Sequence, residues 1–537
     1  MTIDEETLRH PEIVNPYGLS KDSFIDKAFV VDLSLSELLA SVPFHSAEDS
    51  KKFAEEVLIN YACSSDTVEY RQAILNDLIS DANLRIVIRG LIKGLNELEY
   101  KLESYRNKPN LSNGLDLLRG YKNLIDNTPD LKKADSKGLQ SVSSYWQSLR
   151  RSDSFSGLHD LLERIDNAEG VDFRVYLDKD GSPQRMSALE LADRKPGTKP
   201  RIPLVSRLIG KAEQGQSLKH WGGDLNPVGR VISEYMDKQF TPVIGSYVAQ
   251  IVEVTNFLEP LDFYVGFAEY FIKLREMSFD VCRPTLLPLD ARRMRVRNAR
   301  NPLLLETQRD TSRNVWFRRI RSRGSKVVPN DIEYTNDKNM FIITGPNNGG
   351  KTTYVKTVGL IQLLSQKGLF APAESAELSF VDGIYTHFVT PEDITKGEGR
   401  YKNELRRIRE IFERATPYSL VILDEPCGGT SHEEGERQSL ALLDGFHRLS
   451  TATFFTTHMH RLAKEVDSGR YQAAKNLYVE CTYESKRINY TYKVKEGSFG
   501  RSFGEEIAKE LGLMPEDIEE TVSKKARVEG YGEMLRE

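Results

Sequence analysis

The sequence predicts a mainly α-helical domain over residues 1–290, followed by an α/β domain over residues 291–537. In the first part apolar residues recur about every 3.6 positions, as in the stretch 70–100, which is the period of an amphipathic helix. From residue 340 onward short apolar runs alternate with amphipathic helical patterns, which is typical of a parallel sheet with crossover helices. The composition also changes near residue 290, where we place the boundary.

The composition is that of an ordinary folded protein. Hydrophobic residues make up 39% of the 537 residues and charged residues 28%, which excludes wholesale disorder and a fibrous chain. There is no run near 18 apolar residues, and the N-terminus is acidic, so we expect neither a membrane span nor secretion. None of the four cysteines forms a CxxC pair, which argues against a zinc ribbon or a disulfide framework. We therefore expect a cytoplasmic or nucleoid-associated protein.

Three patterns predict the elements of the helical part. The stretch 70–100 predicts a helix. The stretch 229–277 is too long for one ordinary helix and predicts an extended rod or a helical hairpin, with Pro242 and Pro260 marking a kink or a junction. Between them, alternating apolar residues before an Asp-Gly pair predict a β-hairpin in a small insert near residues 171–204.

A basic segment opens the α/β part. Residues 291–326 contain twelve lysines and arginines against two acidic residues. Such a run is usually a solvated loop, but it also suits contact with a phosphate backbone. Composition alone leaves both interpretations open.

The strongest motif is G-x-x-x-x-G-K-[ST] over residues 345–352. A buried strand is predicted before it over 340–344 and a helix after it over 352–368, which argues against a mere glycine-rich turn. Glycines let backbone N–H groups surround phosphates at a helix N-terminus. Lys351 can reach the β- and γ-phosphates, and the Thr352 hydroxyl can ligate Mg²⁺. The predicted ATP-binding residues are Gly345, Pro346, Asn347, Asn348, Gly349, Gly350, Lys351, Thr352 and Thr353.

Two further predicted strands end in polar residues. The strand in 419–426 ends in Asp424 and Glu425, 73 residues after Lys351. We expect Asp424 to hold Mg²⁺ through its water shell and Glu425 to orient or deprotonate the attacking water. A third strand in 451–458 ends in His458, which would sense the γ-phosphate. The alternative for His458 is an ordinary packed or surface histidine.

A second glycine-rich segment opens an amphipathic helix over residues 397–415. Its predicted inward residues are Leu405, Ile408, Ile411 and Phe412. A second anion-binding helix start suits the nucleotide of a partner subunit in a sandwich dimer, which makes Gly397, Gly399 and Arg400 candidate contacts in trans. A loop that leads into a core helix explains the same pattern equally well.

These motifs resemble those of the MutS family of DNA mismatch-repair ATPases. The resemblance is carried by GPNNGGKTT (345–353), SLVILDE (419–425), GGTSHEEG (428–435), TTH (456–458), VPND (328–331) and the closing segment 497–520. It is weaker upstream, at 259–288 and 301–306. The resemblance implies an ABC-type P-loop ATPase that works as a dimer with ATP and Mg²⁺, and a helical core with levers that reach toward double-stranded DNA.

By position, the resemblance implies that Asp424, Glu425 and His458 complete the hydrolytic site. It also implies that the Gly399 region of the other subunit reaches across to this site. Two residues depart from the family pattern. Gly399 stands where the family usually has a serine, whose contact a backbone N–H or Arg400 could replace, and Val327 stands where an aromatic often lies against adenine. The first 60 residues are too short for the family's mismatch-reading and connector domains, and no C-terminal nuclease is expected.

The leading hypothesis is a DNA-binding ATPase clamp that acts in mismatch repair or on other distorted or branched DNA. It would be a homodimer through its ATPase domains, with a downstream repair protein as a further partner and no membrane association. One alternative is an ABC-type ATPase that drives a protein partner, although GEGRY matches the LSGGQ-like signature poorly. Another is a nucleotide-gated scaffold with little turnover, which the missing serine favours. A structural-maintenance ATPase is a third alternative, but it would place a long coiled coil between the two nucleotide motifs, which here are only about seventy residues apart.

Overall fold

A computed structural model of the chain describes residues 27–59, 64–128, 131, 134–167, 170–177, 179, 183–192, 226–304, 327–346, 348–388, 400–484, 487–498, 508–509 and 511–527. The described residues fall into two compact units. Those within 43–54 and 73–269 form the first unit, and those within 20–42, 55–72 and 270–537 form the second.

Ten helices and one β-hairpin are described before residue 280. In chain order they are α1 (Lys27–Asp32), α2 (Leu35–Ser41), α3 (Ala47–Ile59), α4 (Ser65–Ser80), α5 (Ala82–Asn107), α6 (Leu111–Asn127), α7 (Lys137–Arg150), α8 (Asp153–Asn167), β1 (Gly170–Leu177), β2 (Pro183–Ala192), α9 (Asn226–Thr255) and α10 (Leu258–Glu276). No helix among the described residues is long and apolar enough to cross a membrane.

The helix expected over 70–100 is interrupted at Asp81. Its carboxylate accepts hydrogen bonds from the N–H groups of Asn83 (2.8 Å) and Leu84 (3.1 Å), and it thereby starts α5 as an N-cap. The predicted apolar stripe is otherwise present, since α5 buries Leu84, Ile88, Leu91, Ile92 and Leu95. Periodicity alone did not reveal the break, because a side-chain cap can end one helix and begin the next without disturbing the apolar period.

The long pattern over 229–277 is two helices, α9 and α10, separated by residues 256–257. Pro242 lies inside α9, so it does not end that helix. Pro260 lies in the first turn of α10, where a missing N–H leaves no intrahelical hydrogen bond unmade. The predicted hairpin is also present, because β1 pairs antiparallel with β2. The pairing runs from Gly170 opposite Ala192 to Leu177 opposite Pro183.

The second unit carries two sheets. Its elements after residue 280 are β3 (Thr285–Leu287), a one-turn 3-10 helix (Leu289–Ala291), β4 (Met294–Ala299), β5 (Asn330–Tyr334), β6 (Met340–Thr344), α11 (Lys351–Gln366), β7 (Ser375–Ser379), β8 (Ile384–His387), α12 (Arg400–Arg414), β9 (Leu420–Asp424), α13 (His432–Leu449), β10 (Ala452–Thr456), α14 (His460–Asp467), β11 (Ala474–Glu484), β12 (Arg487–Glu496) and α15 (Pro515–Ala526).

The larger sheet has the strand order β12-β11-β6-β10-β9-β8. All neighbours in it are parallel except β12, which pairs antiparallel with β11. Every residue of β6, β9 and β10 is buried, as expected for parallel strands covered on both faces. The predicted parallel sheet is therefore confirmed. Because these three strands are parallel neighbours, their carboxyl ends meet at one edge, where the predicted polar residues lie.

The smaller sheet has the order β3-β7-β4-β5 and takes up part of the basic segment. A solvated loop was one interpretation of residues 291–326, but Met294–Ala299 form strand β4. Arg295 pairs with Glu333 (3.0 Å) and Arg297 with Asp331 (2.6 Å) on the neighbouring strand β5. These charges are thus matched within the sheet. Residues 305–326 lie outside the described part of the chain.

Candidate active site

The loop between β6 and α11 depends on its glycines. Gly345 and Gly350 have φ angles of 146° and 101°, which L side chains rarely adopt. A Cβ on Gly349 would lie 2.9 Å from the carbonyl oxygen of Pro346, so a larger residue would clash with backbone. Asn348 also has a left-handed backbone conformation, with φ 65°. The loop therefore curls tightly into the N-terminus of α11. The predicted contact Asn347 lies outside the described residues.

The predicted cation Lys351 lies beneath this loop, with only 5% of its side chain exposed. Its Nζ donates to the carbonyl oxygens of Gly345 (3.0 Å) and Pro346 (3.3 Å). It also lies 3.2 Å from Glu425 Oε1. The ammonium group therefore joins the glycine-rich loop to the end of strand β9. Thr353 contributes its carbonyl oxygen, which accepts hydrogen bonds from the Asn301 amide (3.1 Å) and the Thr357 hydroxyl (2.7 Å).

Asp424 is held by two hydroxyl groups. Thr352 Oγ1 donates to Asp424 Oδ2 at 2.8 Å, and Thr456 Oγ1 donates to Asp424 Oδ1 at 2.6 Å. Burial raises the pKa of Asp424 above its usual value, because the low-dielectric interior disfavours the charged form. The two hydroxyl hydrogen bonds oppose this rise in pKa, and the nearby charge of Glu425 adds to it. A cation next to these oxygens would favour the ionised carboxylate.

Glu425 follows Asp424 in a strained backbone conformation, with φ 50°. Its N–H donates to Thr456, both to the carbonyl oxygen (3.2 Å) and to Oγ1 (3.0 Å), which holds the turn against the end of β10. Its side chain is 29% exposed, and its carboxylate lies between Lys351 and His458, whose Nδ1 is 3.9 Å from Oε2. The His458 side chain is 52% exposed. The side chains of Lys351 and His458 thus both lie within 4 Å of the Glu425 carboxylate.

The segment expected to act in trans is only partly described. Gly397 and Gly399 lie outside the described residues, and Arg400 is the first residue of α12, its side chain not being among those described. Within α12, Ile408 and Ile411 are buried as predicted. Phe412 was predicted to face inward, but it is 41% exposed. Its ring makes a T-shaped contact with that of Phe446, with ring centroids 5.3 Å apart, so it covers the core from outside.

Three residues near the site were not identified from the sequence. Thr456 belongs to the TTH motif, from which no role was predicted for it, and the pairing of β10 with β9 sets it directly opposite Asp424. Tyr492 on β12 lies against the loop, since a Cβ on Gly350 would be 3.2 Å from its ring. It stacks with Tyr490, with ring centroids 6.1 Å apart. The third is Glu404, whose carboxylate accepts a hydrogen bond from the backbone N–H of Cys427, in the turn after Glu425. The available signal for Tyr492 was the alternation of aromatics in the YTYKV strand pattern over residues 490–494.

This arrangement defines a class of site, one that binds an anion together with a cation. A glycine-rich loop, a buried lysine and a helix N-terminus form a cradle for an anion, and two carboxylates with hydroxyl groups adjoin it. An α/β domain with these groups at the carboxyl ends of adjoining parallel strands is suited to bind phosphate groups together with a divalent cation.

Comparison with known proteins shows which proteins the chain resembles. Residues 341–529 match the family model described as MutS domain V. The chain is 31% identical over 291 residues to the DNA mismatch repair protein MutS of Chlorobaculum tepidum, covering 54% of this chain and 31% of that protein. The MutS of Fervidobacterium nodosum is 32% identical over 289 residues, which are 54% of this chain and 32% of that protein. The MutS of Caldicellulosiruptor saccharolyticus is 36% identical over 198 residues, which are 36% of this chain and 23% of that protein.

The resemblance to the MutS family, predicted from the motifs, is therefore confirmed, and residues 341–529 match the model of MutS domain V. The matched stretch spans about a third or less of the relatives' own length.

Proposed function

We propose that the chain is a MutS-type ATPase. An ABC-type P-loop domain over residues 291–537 hydrolyses ATP with Mg²⁺, and a helical core and lever domain over 1–290 couples this reaction to DNA. The protein acts in mismatch repair, or on other distorted or branched DNA, from the cytoplasm. Support comes from the names of its relatives, which are DNA mismatch repair proteins, and from the geometry of the site. The observation that carries the proposal is the meeting of Lys351 with Glu425 beside the Thr352–Asp424 hydrogen bond.

The loop residues 345–353 bind the phosphates. Backbone N–H groups at the start of α11 face an anion with the positive end of the helix dipole. Lys351 already lies against the loop carbonyls and Glu425, so its ammonium needs only a small movement to neutralise phosphate oxygens instead. Glycines at 345, 349 and 350 leave the loop backbone free of side chains that would block this approach.

Thr352 and Asp424 fit a magnesium ion. Their oxygens lie 2.8 Å apart, and hydroxyl and carboxylate oxygens are the hard ligands that Mg²⁺ prefers. Thr352 would ligate the ion directly and Asp424 through its water shell. When bound, the ion neutralises the charge that develops on the transferred phosphoryl group. Thr456 keeps the Asp424 carboxylate oriented through its own hydroxyl hydrogen bond.

Glu425 orients the attacking water and accepts its proton. The two hydrogen bonds from its backbone N–H to Thr456 fix the position of Glu425, and its side chain is partly open to solvent. His458 lies on the far side of that carboxylate, where its imidazole can contact the γ-phosphate. The ring of Tyr492 beside Gly350 offers a flat surface for the base, a role that Val327 cannot fill with its aliphatic side chain.

Hydrolysis is completed in a homodimer formed through the ATPase domains. Gly397, Gly399 and Arg400 of one subunit contact the nucleotide of the other, and Arg400 replaces the contact of the serine that the family usually has at position 399. DNA is held mainly through its phosphates and its shape, so the affinity should fall steeply as salt concentration rises.

The test is ATP turnover by the purified protein without DNA and with perfect duplex, mismatched duplex and four-way junction, each at two salt concentrations. The proposal expects Mg²⁺-dependent turnover whose rate changes with at least one DNA structure, and a smaller effect at high salt. Turnover indifferent to every DNA would overturn the DNA-coupled part. Absence of turnover under all conditions would overturn the ATPase itself.

A further inference from the structure

Helix α12 is joined to the turn that follows Glu425 by a buried carboxylate. Glu404 Oε1 accepts a hydrogen bond from the backbone N–H of Cys427 at 2.6 Å, and only 8% of the Glu404 side chain is exposed. Its other oxygen faces the same turn, since a Cβ on Gly429 would lie 3.2 Å from Oε2. His387 Nε2, at the end of strand β8, lies 3.4 Å from Oε1. The carboxylate is therefore surrounded by groups from α12, β8 and the turn.

The turn that Glu404 holds has an unusual backbone. Glu425 and Cys427 have φ angles of 50° and 63°, a conformation that residues other than glycine rarely adopt. Such a conformation persists only when surrounding contacts determine it. Hydrogen bonds on both sides of the turn contribute: Thr456 accepts from the Glu425 N–H, and Glu404 accepts from the Cys427 N–H. Ser439 also donates to the carbonyl oxygen of Pro426 at 3.4 Å. The Glu404 bond is the shorter of the two that hold the C-terminal side of the turn, at 2.6 Å against 3.4 Å.

The same helix is anchored one turn further along. Arg407 donates to the carbonyl oxygen of Thr386 at 2.9 Å and forms an ion pair with Asp32. The Thr386 hydroxyl also donates to Asp32 Oδ2, at 2.7 Å. Because Glu404 and Arg407 are three residues apart, they lie on the same face of α12. A shift of α12 would therefore pull on the turn through Glu404.

We propose that Glu404 is a positioning residue that sets the place of Glu425 for hydrolysis, and that it makes this placement depend on helix α12. The proposal rests on the proposed ATPase function. Helix α12 begins at Arg400, the last of the three residues expected to meet a partner's nucleotide. Glu404 therefore gives that segment a route to the hydrolytic carboxylate of its own subunit. Glu404 does not itself touch the reacting atoms.

Two uncharged substitutions test the role of the acceptor oxygen. Glu404→Gln keeps an oxygen that can accept from the Cys427 N–H, and Glu404→Met keeps the length of the side chain but replaces the oxygens with a thioether sulfur, a weak acceptor. We expect Glu404→Met to lower kcat by about 100-fold, the effect of displacing a reacting group by roughly 1 Å, with little change in ATP affinity. Glu404→Gln should retain most of the wild-type kcat. Glu410→Ala, an exposed position on the same helix, is the control and should behave as wild type.

Amide hydrogen exchange of the peptide that contains residues 425–429 gives a readout independent of turnover. We expect faster exchange in Glu404→Met than in wild type, and wild-type protection in Glu404→Gln. Wild-type kcat in Glu404→Met, equal losses of kcat in both variants, or a loss seen in ATP affinity alone would overturn the proposal. If the wild-type protein does not hydrolyse ATP, the proposed function fails. The exchange data then still decide whether Glu404 holds the turn, and unchanged protection in Glu404→Met would overturn that too.

Discussion

Thr352 and Asp424 lie 72 residues apart in the chain, yet the hydroxyl of the first donates a 2.8 Å hydrogen bond to the carboxylate of the second. This bond joins the first turn of α11 to the end of β9. The second carboxylate oxygen is occupied by the hydroxyl of Thr456, at the end of β10. Three segments of the sheet edge are thus connected through one buried carboxyl group, and the oxygens that would hold a cation are already assembled.

The buried Asp424 should cost the protein stability at neutral pH. Because burial raises its pKa in the folded state, the stability that this carboxyl group contributes is fully present below its unfolded pKa and is lost as the pH rises through the raised value. Asp424→Asn removes the charge, so we expect the nucleotide-free variant to have an equal or higher Tm at pH 7.5 and to lose Mg²⁺-dependent ATP turnover. Asp337→Asn, at an exposed position, is the control. A clearly lower Tm, or normal turnover, would contradict this account.

Glu425→Gln should separate ATP binding from hydrolysis. The amide keeps the size of the side chain but cannot accept the proton of the attacking water, so we expect turnover to fall by about 10²-fold or more. ATP affinity should be unchanged or higher, because Lys351 loses a competing negative charge at 3.2 Å. Single-turnover hydrolysis and equilibrium ATP binding measure the two effects. The exposed Glu433 provides the matched control, Glu433→Gln, and a Glu425→Gln protein with wild-type turnover would remove Glu425 from the mechanism.

Tyr492 should contribute to ATP affinity through its ring. Aromatic contacts contribute about 0.5–1.5 kcal/mol beyond burial, so Tyr492→Ser should weaken ATP binding by about 2- to 10-fold. Tyr492→Phe keeps the ring and should bind as wild type does. Isothermal titration with ATP measures the affinity. The Tyr492 assignment would be wrong if the serine variant bound ATP as tightly as the phenylalanine variant.

In the first unit, His45 should make stability depend on pH. Its hydrogen bond to Glu269, where Nε2 lies 3.4 Å from Oε2, raises the pKa of His45 above 6.5, and the charge of Asp262 adds to this rise while burial and Arg89 oppose it. The stability contributed by the imidazolium is therefore fully present below pH 6.5 and is lost as the pH rises through the raised pKa.

We accordingly expect His45→Gln to lower the free energy of unfolding at pH 5.5 and to have little effect at pH 8.5, as measured by urea denaturation. His460→Gln, at an exposed position, controls for loss of a histidine. Equal destabilisation at both pH values would show that the protonated imidazole is not what matters.

The parts of the site that the sequence predicted are those encoded locally. The glycines, Lys351 and Thr352 belong to one contiguous motif between a strand and a helix, and Asp424 with Glu425 follows an unbroken apolar run. The division at residue 290 and the trans contacts of Gly397 and Gly399 stay predictions.

The parts that were missed depend on pairing between distant segments. Thr456 is opposite Asp424 only because β10 pairs with β9 in that register, and Glu404 reaches Cys427 across 23 residues. No periodicity encodes either contact. Asp81 illustrates the converse problem, since a strong apolar period over 70–100 concealed a capped break between two helices.

The measurement that tests the central claim most directly is equilibrium binding of Mg²⁺–ATP to the wild-type protein, to Lys351→Ala and to Lys356→Ala. Lys356 is a second lysine of α11, and its Nζ donates to Ser34 instead of facing the glycine-rich loop. Our account predicts that wild type and Lys356→Ala bind ATP and that Lys351→Ala does not, because the triphosphate would lose its main cation. ATP binding by Lys351→Ala with wild-type affinity would contradict it.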